Sequence, residues 1–392
     1  MSECLNVWLI MKTLSIKNLF IFSLLFVFSI TKLSAELQLQ NYWMVDEYFT
    51  TFPEQRQLFN AFNQRVQSNS PQQVSFTKPI KISMVYPGLQ VSDYWRRSVA
   101  SFSARLKEMD VPFEIESLYT KPGVEISLQL QQIRKSLQSD TDYLIFTLDA
   151  LRHKNLIEQV MAQHRTKVIL QNITTPLKAF GQQQPLLYVG FDHSIGSQML
   201  AKKYIEVVEN NSKYAILYGT KGYVSKVRGG VFQDIISNST DMELVASYYV
   251  NFDREKAAAA TLEIVKTNPD INFIYACSTD IALGVIDALA EKGLTGKVLV
   301  NGWGGGSSEL EAIQNGFLNF TVMRMNDDNG VAMADAILDD LSDKAIPTIY
   351  SGDIVLVNSL MKKAEIDRLK LNAFRYSDHW ESPLEHLTKK NK

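Results

Sequence analysis

Short apolar runs alternate with amphipathic stretches from residue 80 to residue 357, and this alternation restricts the fold more than any other feature of the sequence. The runs are nearly continuous in apolar residues, which is typical of strands buried on both faces of a sheet. The stretches between them, such as 98–109 and 332–341, suit helices with one apolar face. The series predicts an α/β fold with doubly wound parallel sheets. The predicted strands are residues 80–87, 113–119, 143–148, 167–172, 186–192, 214–219, 244–250, 273–278, 298–303, 318–324 and 353–357. Eleven strands fit two domains better than a single sheet.

The N-terminal residues predict export from the cytoplasm. Lys12 and Lys17 precede an uncharged apolar run at 19–30, and the small residues Ser34 and Ala35 follow it. The run has 12 residues, fewer than the roughly 20 that cross a bilayer, so it is typical of a secretory signal peptide. We therefore expect a signal peptide that ends at Ala35 and a periplasmic mature protein.

The cysteine content and the charge bear on how the protein is stabilised and what it binds. Cys4 lies in the predicted signal peptide, so Cys277 is left alone in the mature chain and no internal disulfide is expected. A chain of this size must then rely on its hydrophobic cores. The 40 basic and 42 acidic residues give a formal charge of −2, which does not favour nucleic acid as a partner.

Common catalytic motifs are missing from the sequence. It has no HExxH, no GxSxG and no lysine after a glycine-rich phosphate loop. The five histidines lack the spacing of metal ligands, and Cys277 has the apolar neighbours of a core cysteine. Gly302, Gly304 and Ser307 approximate a dinucleotide-binding fingerprint, but the strand that follows ends in Arg324 instead of an acidic residue. We therefore predict no enzyme activity, no cofactor and no metal site. An exported hydrolase or oxidoreductase built on the same type of sheet is kept as an alternative.

Polar and aromatic side chains follow the predicted strands at the points where those strands end. Doubly wound sheets bind ligands at the carboxyl ends of their strands, so these side chains are candidates for a binding site. The candidates are Gln90, Ser92, Trp95, Thr147, Asp149, Asn172, Arg228, Ser278, Thr279, Asp280, Trp303 and Arg324. Hydroxyls, amides, guanidiniums and two indoles suit a small polar ligand held between aromatic faces. A single Ser, Thr or Asn among them could equally be an ordinary loop or cap residue.

Two segments carry a resemblance to a known family. CSTDIALGVIDALAEKG (277–293) and VNGWGGGSSELEAIQNG (300–316) resemble the periplasmic sugar-binding proteins of the ribose-binding type, in this order and at this separation. The resemblance implies the periplasmic binding protein type I fold, with two doubly wound parallel-sheet lobes joined by three crossover strands and a ligand in the cleft. It also implies that residues 79–188 with 325–350 form the N-terminal lobe, and residues 189–324 with 351–392 the C-terminal lobe and tail. Residues 36–78 then form an N-terminal helical extension, after the signal peptide at 1–35.

Three positions depart from the usual pattern of that family. Gly304 stands where sugar binders usually carry an aspartate, Thr279 where they carry asparagine, and Arg324 where they carry glutamine. A lost carboxylate and a gained guanidinium change the charge of the ligand that the cleft would accept. We expect an anionic ligand of the size of a furanose, and we expect the glycines of the loop to make room for that anion and for Trp303.

One branch of the family matches these departures. YPGLQVSDYW (86–95), LQNITTP (170–176), TVMRMNDD (321–328) and FRYSD (374–378) resemble the autoinducer-2 receptors of Vibrio, whose ligand is a furanosyl borate diester. In that branch the positions matching the following residues contact the ligand: Gln90, Ser92, Trp95, Asn172, Arg228, Ser278, Thr279, Trp303 and Arg324. Thr147, Asp149 and Asp280 are additional candidates.

The same resemblance implies a partner. It predicts a quorum-sensing receptor whose lobes close on autoinducer-2 and whose closure is detected by the periplasmic domain of a membrane-bound hybrid sensor histidine kinase. The alternative within this fold is the sugar-binding subunit of an ABC uptake transporter. A sugar-responsive repressor shares the fold, but the predicted signal peptide and the missing helix-turn-helix exclude it.

Overall fold

The computed structural model describes residues 39–68, 71, 76–147, 153–162 and 165–378. The predicted signal peptide and the candidate Asp149 lie outside these ranges. The chain divides into two compact units, Met1–Trp43 and Met44–Lys392. Of the first unit, only residues 39–43 are described, and everything below concerns the second. Within the described residues, no helix is both long enough and apolar enough to cross a bilayer.

Two helices precede the first strand: α1 (Val45–Thr51) and α2 (Pro53–Gln67). Pro53 occupies the first position of α2, where its missing N–H costs no hydrogen bond and its fixed φ suits the helix. Phe62 and Val66 on α2 are fully buried in the core of the first lobe described below. Helices therefore occupy part of the segment 36–78 in which a helical extension was predicted.

The first lobe is built on a six-stranded sheet in the order β11-β5-β4-β3-β1-β2, with every pair parallel. Its strands are β1 (Ile80–Tyr86), β2 (Phe113–Tyr119), β3 (Tyr143–Phe146), β4 (Lys167–Gln171), β5 (Leu187–Phe191) and β11 (Ile349–Gly352). Its helices are α3 (Tyr94–Glu108), α4 (Ile126–Gln138), α5 (Lys154–Ala162) and α11 (Asp327–Leu341). Every residue of β3 and β5 is buried, as expected for strands covered on both faces.

The second lobe has a six-stranded sheet of its own, in the order β12-β10-β9-β8-β6-β7. Its strands are β6 (Lys213–Tyr218), β7 (Glu243–Tyr249), β8 (Phe273–Ala276), β9 (Leu299–Gly304), β10 (Phe320–Arg324) and β12 (Ile354–Asn358). Its helices are α6 (His193–Val207), α7 (Val231–Ser239), α8 (Arg254–Thr267), α9 (Thr279–Glu291), α10 (Ser307–Gln314) and α12 (Lys363–Ala373). A helical turn at Tyr223–Ser225 and a π-helical turn at Lys226–Gly230 lead into α7.

The chain passes between the lobes three times, at residue 192 after β5, at residues 325–326 after β10 and at residue 353 after β11. Each lobe has a separate hydrophobic core. The predicted α/β fold of two doubly wound lobes joined by three crossings is therefore confirmed.

The sequence analysis missed one strand and one strand direction. β11 was not predicted, because only Ile349 and Tyr350 are apolar in it and Ser351 and Gly352 complete it. This strand is defined by its parallel pairing with β5. The predicted boundary between the two lobes, between residues 350 and 351, falls inside it. β12 pairs with β10 in antiparallel orientation, in contrast to the parallel strands predicted throughout. An antiparallel edge strand on a parallel sheet is common in this class of fold.

Residues 374–378, which were expected to belong to the C-terminal lobe and tail, contact elements of the first lobe. The guanidinium of Arg97 on α3 lies 3.8 Å from the ring centre of Phe374. The backbone amides of Tyr376 and Ser377 donate to the carboxylate of Asp327 at the start of α11, at 2.7 and 2.8 Å. This segment therefore links the end of the second lobe to the first.

Candidate functional site

A cavity of about 190 Å³ lies between the lobes, at the carboxyl ends of strands from both sheets. It is smaller than the roughly 300–1,000 Å³ pockets that hold drug-sized ligands, so it suits a smaller molecule. All nine residues that the sequence analysis assigned to the ligand line it: Gln90, Ser92, Trp95, Asn172, Arg228, Ser278, Thr279, Trp303 and Arg324. The structure thus brings these side chains to one place, while their contact with a ligand stays a prediction.

The additional candidates have different positions. Thr147 lines the cavity, and its carbonyl oxygen accepts a hydrogen bond of 2.8 Å from the side chain of Gln129. Asp280 also lines the cavity, but its carboxylate accepts from the backbone amides of Val91 and Ser92, at 2.8 and 3.2 Å. Asp280 belongs to the second lobe and these amides to the first. In this conformation its carboxylate therefore joins the two lobes.

Arg228 lies in the π-helical turn that precedes α7, a type of irregularity that often marks functional sites. Its guanidinium carbon is 3.8 Å from the ring centre of Trp303, and one terminal nitrogen donates to the carbonyl oxygen of Cys277 at 3.0 Å. Burial lowers the pKa of Arg228 to about 9, and the charge of Arg324 adds to this shift. Arg228 is still a cation at neutral pH.

Arg324 is the last residue of β10 and also lines the cavity. Its guanidinium carbon is 4.0 Å from the ring centre of Tyr94, and its Nε donates to the carbonyl oxygen of Gly304 at 3.4 Å. Burial also lowers the pKa of Arg324. Among the residues that the structure describes, neither Arg228 nor Arg324 has a carboxylate oxygen within 4.0 Å. Two buried cations without an acidic partner favour an anion in the space between them.

Gly304 makes room for Arg324, which corrects the expectation that this glycine makes room for the ligand. A Cβ atom at Gly304, whose φ is 152°, would lie 2.7 Å from a terminal nitrogen of Arg324 and 3.2 Å from the hydroxyl of Thr279. The space left by the absent side chain is therefore filled by the guanidinium.

The backbone amides of the glycine-rich loop are already occupied. Those of Trp303 and Gly305 donate to the carboxylate of Glu309 at 3.0 and 2.7 Å, and the hydroxyl of Thr321 donates to it at 2.6 Å. A phosphate-binding loop needs such amides free to reach the phosphate oxygens. In this structure they bind Glu309 instead.

The two indoles form apolar walls, and both are almost fully buried. Trp95 stacks on Tyr86 with ring centres 4.7 Å apart, and Trp303 lies beneath the guanidinium of Arg228.

Asn172 lines the cavity and has a buried side-chain oxygen that lacks a hydrogen-bond partner among the described residues. It has a left-handed backbone with φ of 64°, a conformation that asparagine tolerates well. Its backbone N–H donates to the carbonyl oxygen of Val189 at 2.7 Å, whereas its side-chain oxygen is buried without a partner among the described residues. A hydroxyl of a bound ligand would satisfy that oxygen.

Other residues at the cavity were missed by the sequence analysis. Tyr94, Lys221, Tyr223 and Phe252 also line it. Tyr94 lies within the motif YPGLQVSDYW and could have been found there. His193, the first residue of α6, contacts Asn172 and Arg228, which line the cavity. It too follows the end of a strand, the rule by which the other candidates were chosen.

The lobes are also fastened to each other outside the cavity. The carboxylate of Asp93 accepts hydrogen bonds from the backbone amide and the hydroxyl of Ser307, at 3.3 and 2.9 Å. The hydroxyl of Ser307 in turn accepts from Arg97 at 2.9 Å. Asp93 and Arg97 belong to the first lobe and Ser307 to the second, so these contacts are those of a closed conformation.

Comparisons with known proteins agree with this architecture. A family profile described as "Periplasmic binding protein domain" matches residues 82–345. The D-allose-binding periplasmic protein of Escherichia coli K12 is 31% identical over 149 residues, covering 38% of this chain and 48% of that protein. The ribose import binding protein of Bacillus subtilis is 26% identical, covering 43% and 54% respectively. The chain thus spans about half the length of these two relatives. A D-apiose import binding protein of Paraburkholderia graminis is 23% identical over 62% of this chain and 83% of its own length.

Solved structures show the same fold. A periplasmic solute binding protein of an ABC transporter from Actinobacillus succinogenes, with bound D-allose, has a TM-score of 0.64 at 24% identity over 72% of this chain and 98% of its own. A solute binding protein from Agrobacterium vitis, with bound D-fucose, has a TM-score of 0.66 at 20% identity over 73% and 98%. At these identities the likeness concerns the fold alone.

Proposed function

Because this chain belongs to the periplasmic binding protein family, with the two parallel-sheet lobes of the type I fold, we propose that it binds a small sugar-like ligand between its lobes. The relatives support this class of ligand, since their names specify D-allose, ribose and D-apiose. The cavity supports it through its size and through its mixture of indoles, hydroxyls and amides. The protein acts in the periplasm as a binding protein and not as an enzyme.

The ligand carries a negative charge. The observation that supports this proposal is the pair of buried guanidiniums, Arg228 and Arg324, which line the cavity and contact uncharged groups. A neutral sugar would leave two desolvated cations uncompensated, whereas an anion would offset their repulsion. A sugar acid, a sugar phosphate or a cyclic borate ester would meet this requirement.

Among such anions, we propose autoinducer-2 in its furanosyl borate diester form as the first to test. It combines a single negative charge with a five-membered ring, which suits a cavity of about 190 Å³. The proposal rests on the resemblance to autoinducer-2 receptors, together with the Gly304 and Arg324 pair that distinguishes this cavity.

Two kinds of membrane protein are candidates for the partner that recognises the ligand-bound form. The relatives named import binding proteins favour an ABC permease, to which the closed protein would deliver its ligand. A hybrid sensor kinase, which would make the protein a quorum-sensing receptor, rests on the sequence resemblance alone. Ligand uptake through a permease is therefore the first role to test, and signalling through a sensor kinase is the second.

The ligand can be identified directly. The purified protein is denatured, and the released small molecules are analysed by mass spectrometry and boron NMR. Calorimetry then compares D-allose and D-ribose with autoinducer-2, the last in borate buffer and in boron-depleted buffer. We expect tighter binding of the borate form than of either neutral sugar. Tight binding of a neutral sugar together with no response to borate would refute the anionic ligand and leave a conventional sugar binder.

A further inference from the structure

His193 connects a candidate site residue of each lobe. It is fully buried at the start of α6, directly after the first crossing between the lobes. Its Nε2 lies 3.1 Å from the carbonyl oxygen of Asn172 in the first lobe. Its Nδ1 lies 3.3 Å from Nε of Arg228 in the second lobe. The imidazole therefore bridges two residues that face the same cavity from opposite sides.

These contacts define the tautomer of the ring. A guanidinium nitrogen can only donate, so Nδ1 must accept the hydrogen bond from Arg228. The carbonyl oxygen of Asn172 can only accept, so Nε2 must carry the proton. A neutral imidazole with its proton on Nε2 satisfies both neighbours, whereas an imidazolium would direct a proton at Arg228.

The surroundings also keep the ring uncharged. Burial lowers the pKa of His193 well below its usual value, and the charge of Arg228 acts in the same direction. Among the described residues, the polar and aromatic contacts of the Arg228 guanidinium are all neutral: the imidazole, the carbonyl group of Cys277 and the ring of Trp303. An aspartate or glutamate in place of the histidine would orient the guanidinium equally well. It would also cancel the charge that an anionic ligand needs.

We propose that His193 is a positioning residue that holds Arg228 in line with Asn172, and that its neutral ring leaves the charge of Arg228 available to an anionic ligand. The second part rests on the proposed function. The contact between His193 and Arg228 lies within the second lobe, so the ligand-free protein also tests it, whereas the contact with Asn172 joins the lobes and belongs to the closed form. The competing explanation is that His193 only fills space beside Trp303. The centres of the two rings are 5.2 Å apart.

Two substitutions separate the contacts of His193. In His193→Asn the side-chain oxygen lies near the former Nδ1, so the acceptor for Arg228 is kept and the bond to Asn172 is lost. In His193→Gln the amide nitrogen can reach the carbonyl oxygen of Asn172, but no acceptor faces Arg228. Tyr204→Phe is the matched control, because Tyr204 is a fully buried residue of the same helix whose hydroxyl binds Asn301, away from the cavity.

Nitrogen-15 NMR of the ligand-free protein tests the positioning role. We expect His193 to show a proton on Nε2 and an unprotonated Nδ1, unchanged between about pH 5 and 8, where an ordinary histidine titrates. We expect the Nε–H signal of Arg228, assigned by its absence in Arg228→Lys, to be protected from exchange in the wild type and in His193→Asn. It should lose protection in His193→Gln. A proton on Nδ1, or an Arg228 signal unaffected by His193→Gln, would overturn the proposal.

Calorimetry with autoinducer-2 in borate buffer tests the consequence for binding. Loss of a hydrogen bond to a charged group predicts affinity that is about ten- to a hundred-fold weaker in His193→Gln. His193→Asn should lose less and Tyr204→Phe nothing. Equal affinity in His193→Gln and the wild type would contradict the inference. If the wild type binds neither autoinducer-2 nor D-ribose, the proposed function fails, and the NMR measurements alone decide the role of His193.

Discussion

Gly304 and Arg324 stand beside each other on β9 and β10, where Gly304 pairs with Met323, the residue before Arg324. A side chain at residue 304 and a guanidinium at residue 324 would compete for the same space, since a Cβ atom would lie 2.7 Å from a terminal nitrogen of Arg324. An aspartate at residue 304 would leave no room for the guanidinium of Arg324. The loss of the acid and the gain of the arginine therefore depend on each other. Under the proposed function, these two changes suit the cavity to an anion instead of a neutral ligand.

Arg324→Gln should weaken binding of the anionic ligand selectively. Removing one partner of a desolvated charge pair costs about 2–5 kcal/mol, which corresponds to a loss of affinity between about thirtyfold and several thousandfold. D-Ribose should lose much less, or gain, because the guanidinium that opposes a neutral ligand is gone. Calorimetry in borate and in boron-depleted buffer measures both effects.

Arg254→Gln is the control, because Arg254 pairs with Asp287 at the surface of the same lobe. Equal losses for the charged and the neutral ligand would show that Arg324 acts by position and not by charge.

Gly304→Ala should displace the guanidinium of Arg324 without removing its charge. The added Cβ is strained by the φ of 152° and by the contact of 2.7 Å, so we expect lower stability and weaker binding of the anion. In the double variant Gly304→Ala/Arg324→Gln the affinity losses should not add, because both act on one guanidinium. Urea denaturation and calorimetry give the two free energies. Full additivity in affinity would mean that residue 304 acts on the ligand directly.

At the scale of secondary-structure elements, the N-terminus of α3 in the first lobe contacts the N-terminus of α10 in the second lobe. Asp93 precedes α3, and its carboxylate binds both the backbone amide and the hydroxyl of Ser307, the first residue of α10. Burial alone would raise the pKa of Asp93, but the charge of Arg97 and the hydrogen bonds from Ser307 lower it instead. The carboxylate is therefore ionised at neutral pH and binds the N-terminus of α10, where the helix dipole favours a negative charge.

Ser307→Ala should weaken closure while leaving each lobe intact. The variant loses the hydroxyl bonds to Asp93 and Arg97 but keeps the backbone amide bond. A net loss of about 1 kcal/mol corresponds to roughly fivefold weaker ligand binding. The melting temperature should change little, because the contact joins the lobes and belongs to neither core. Ser308→Ala, one residue further along α10, is the matched control. If both serine variants bind like the wild type, this contact does not contribute to closure.

At the scale of the whole molecule, two lobes with separate cores are joined by polar contacts that lie outside both cores. Asp280 binds the amides of Val91 and Ser92, and Asp93 binds Ser307. Such contacts can break and re-form without disturbing either sheet, because neither core supplies their atoms. A ligand that contacts both lobes adds to these contacts and shifts the equilibrium towards the closed form.

The ligand-free protein should therefore populate a more open conformation in solution. Small-angle X-ray scattering should give a larger radius of gyration without ligand than with it, and Ser307→Ala should enlarge the ligand-free value further. Calorimetry on the same samples verifies that the ligand is bound. An unchanged radius on verified binding would contradict closure by hinge motion.

The sequence by itself determined the class of fold and placed the nine main candidate residues at one cavity, although it missed others that line it. The apolar runs predicted strands of two parallel sheets, and the carboxyl ends of parallel strands converge at one edge. Gln90 and Arg324 are more than 230 residues apart in the sequence, yet this rule was sufficient to place both at the cavity. A resemblance in two short segments supplied the charge of the expected ligand, because the departures at residues 304 and 324 are visible without a structure.

Only the tertiary structure decided which groups contact one another inside that cavity. β11 is defined by its pairing with β5, because the pattern of its own residues does not predict a strand. Glu309 binds the amides of the glycine-rich loop, Arg324 fills the space beside Gly304, and His193 joins Asn172 to Arg228. Each of these contacts depends on distances of about 3 Å between atoms that local periodicity does not bring together. Periodicity specifies the face and the edge on which a residue lies, whereas packing between elements specifies its partner.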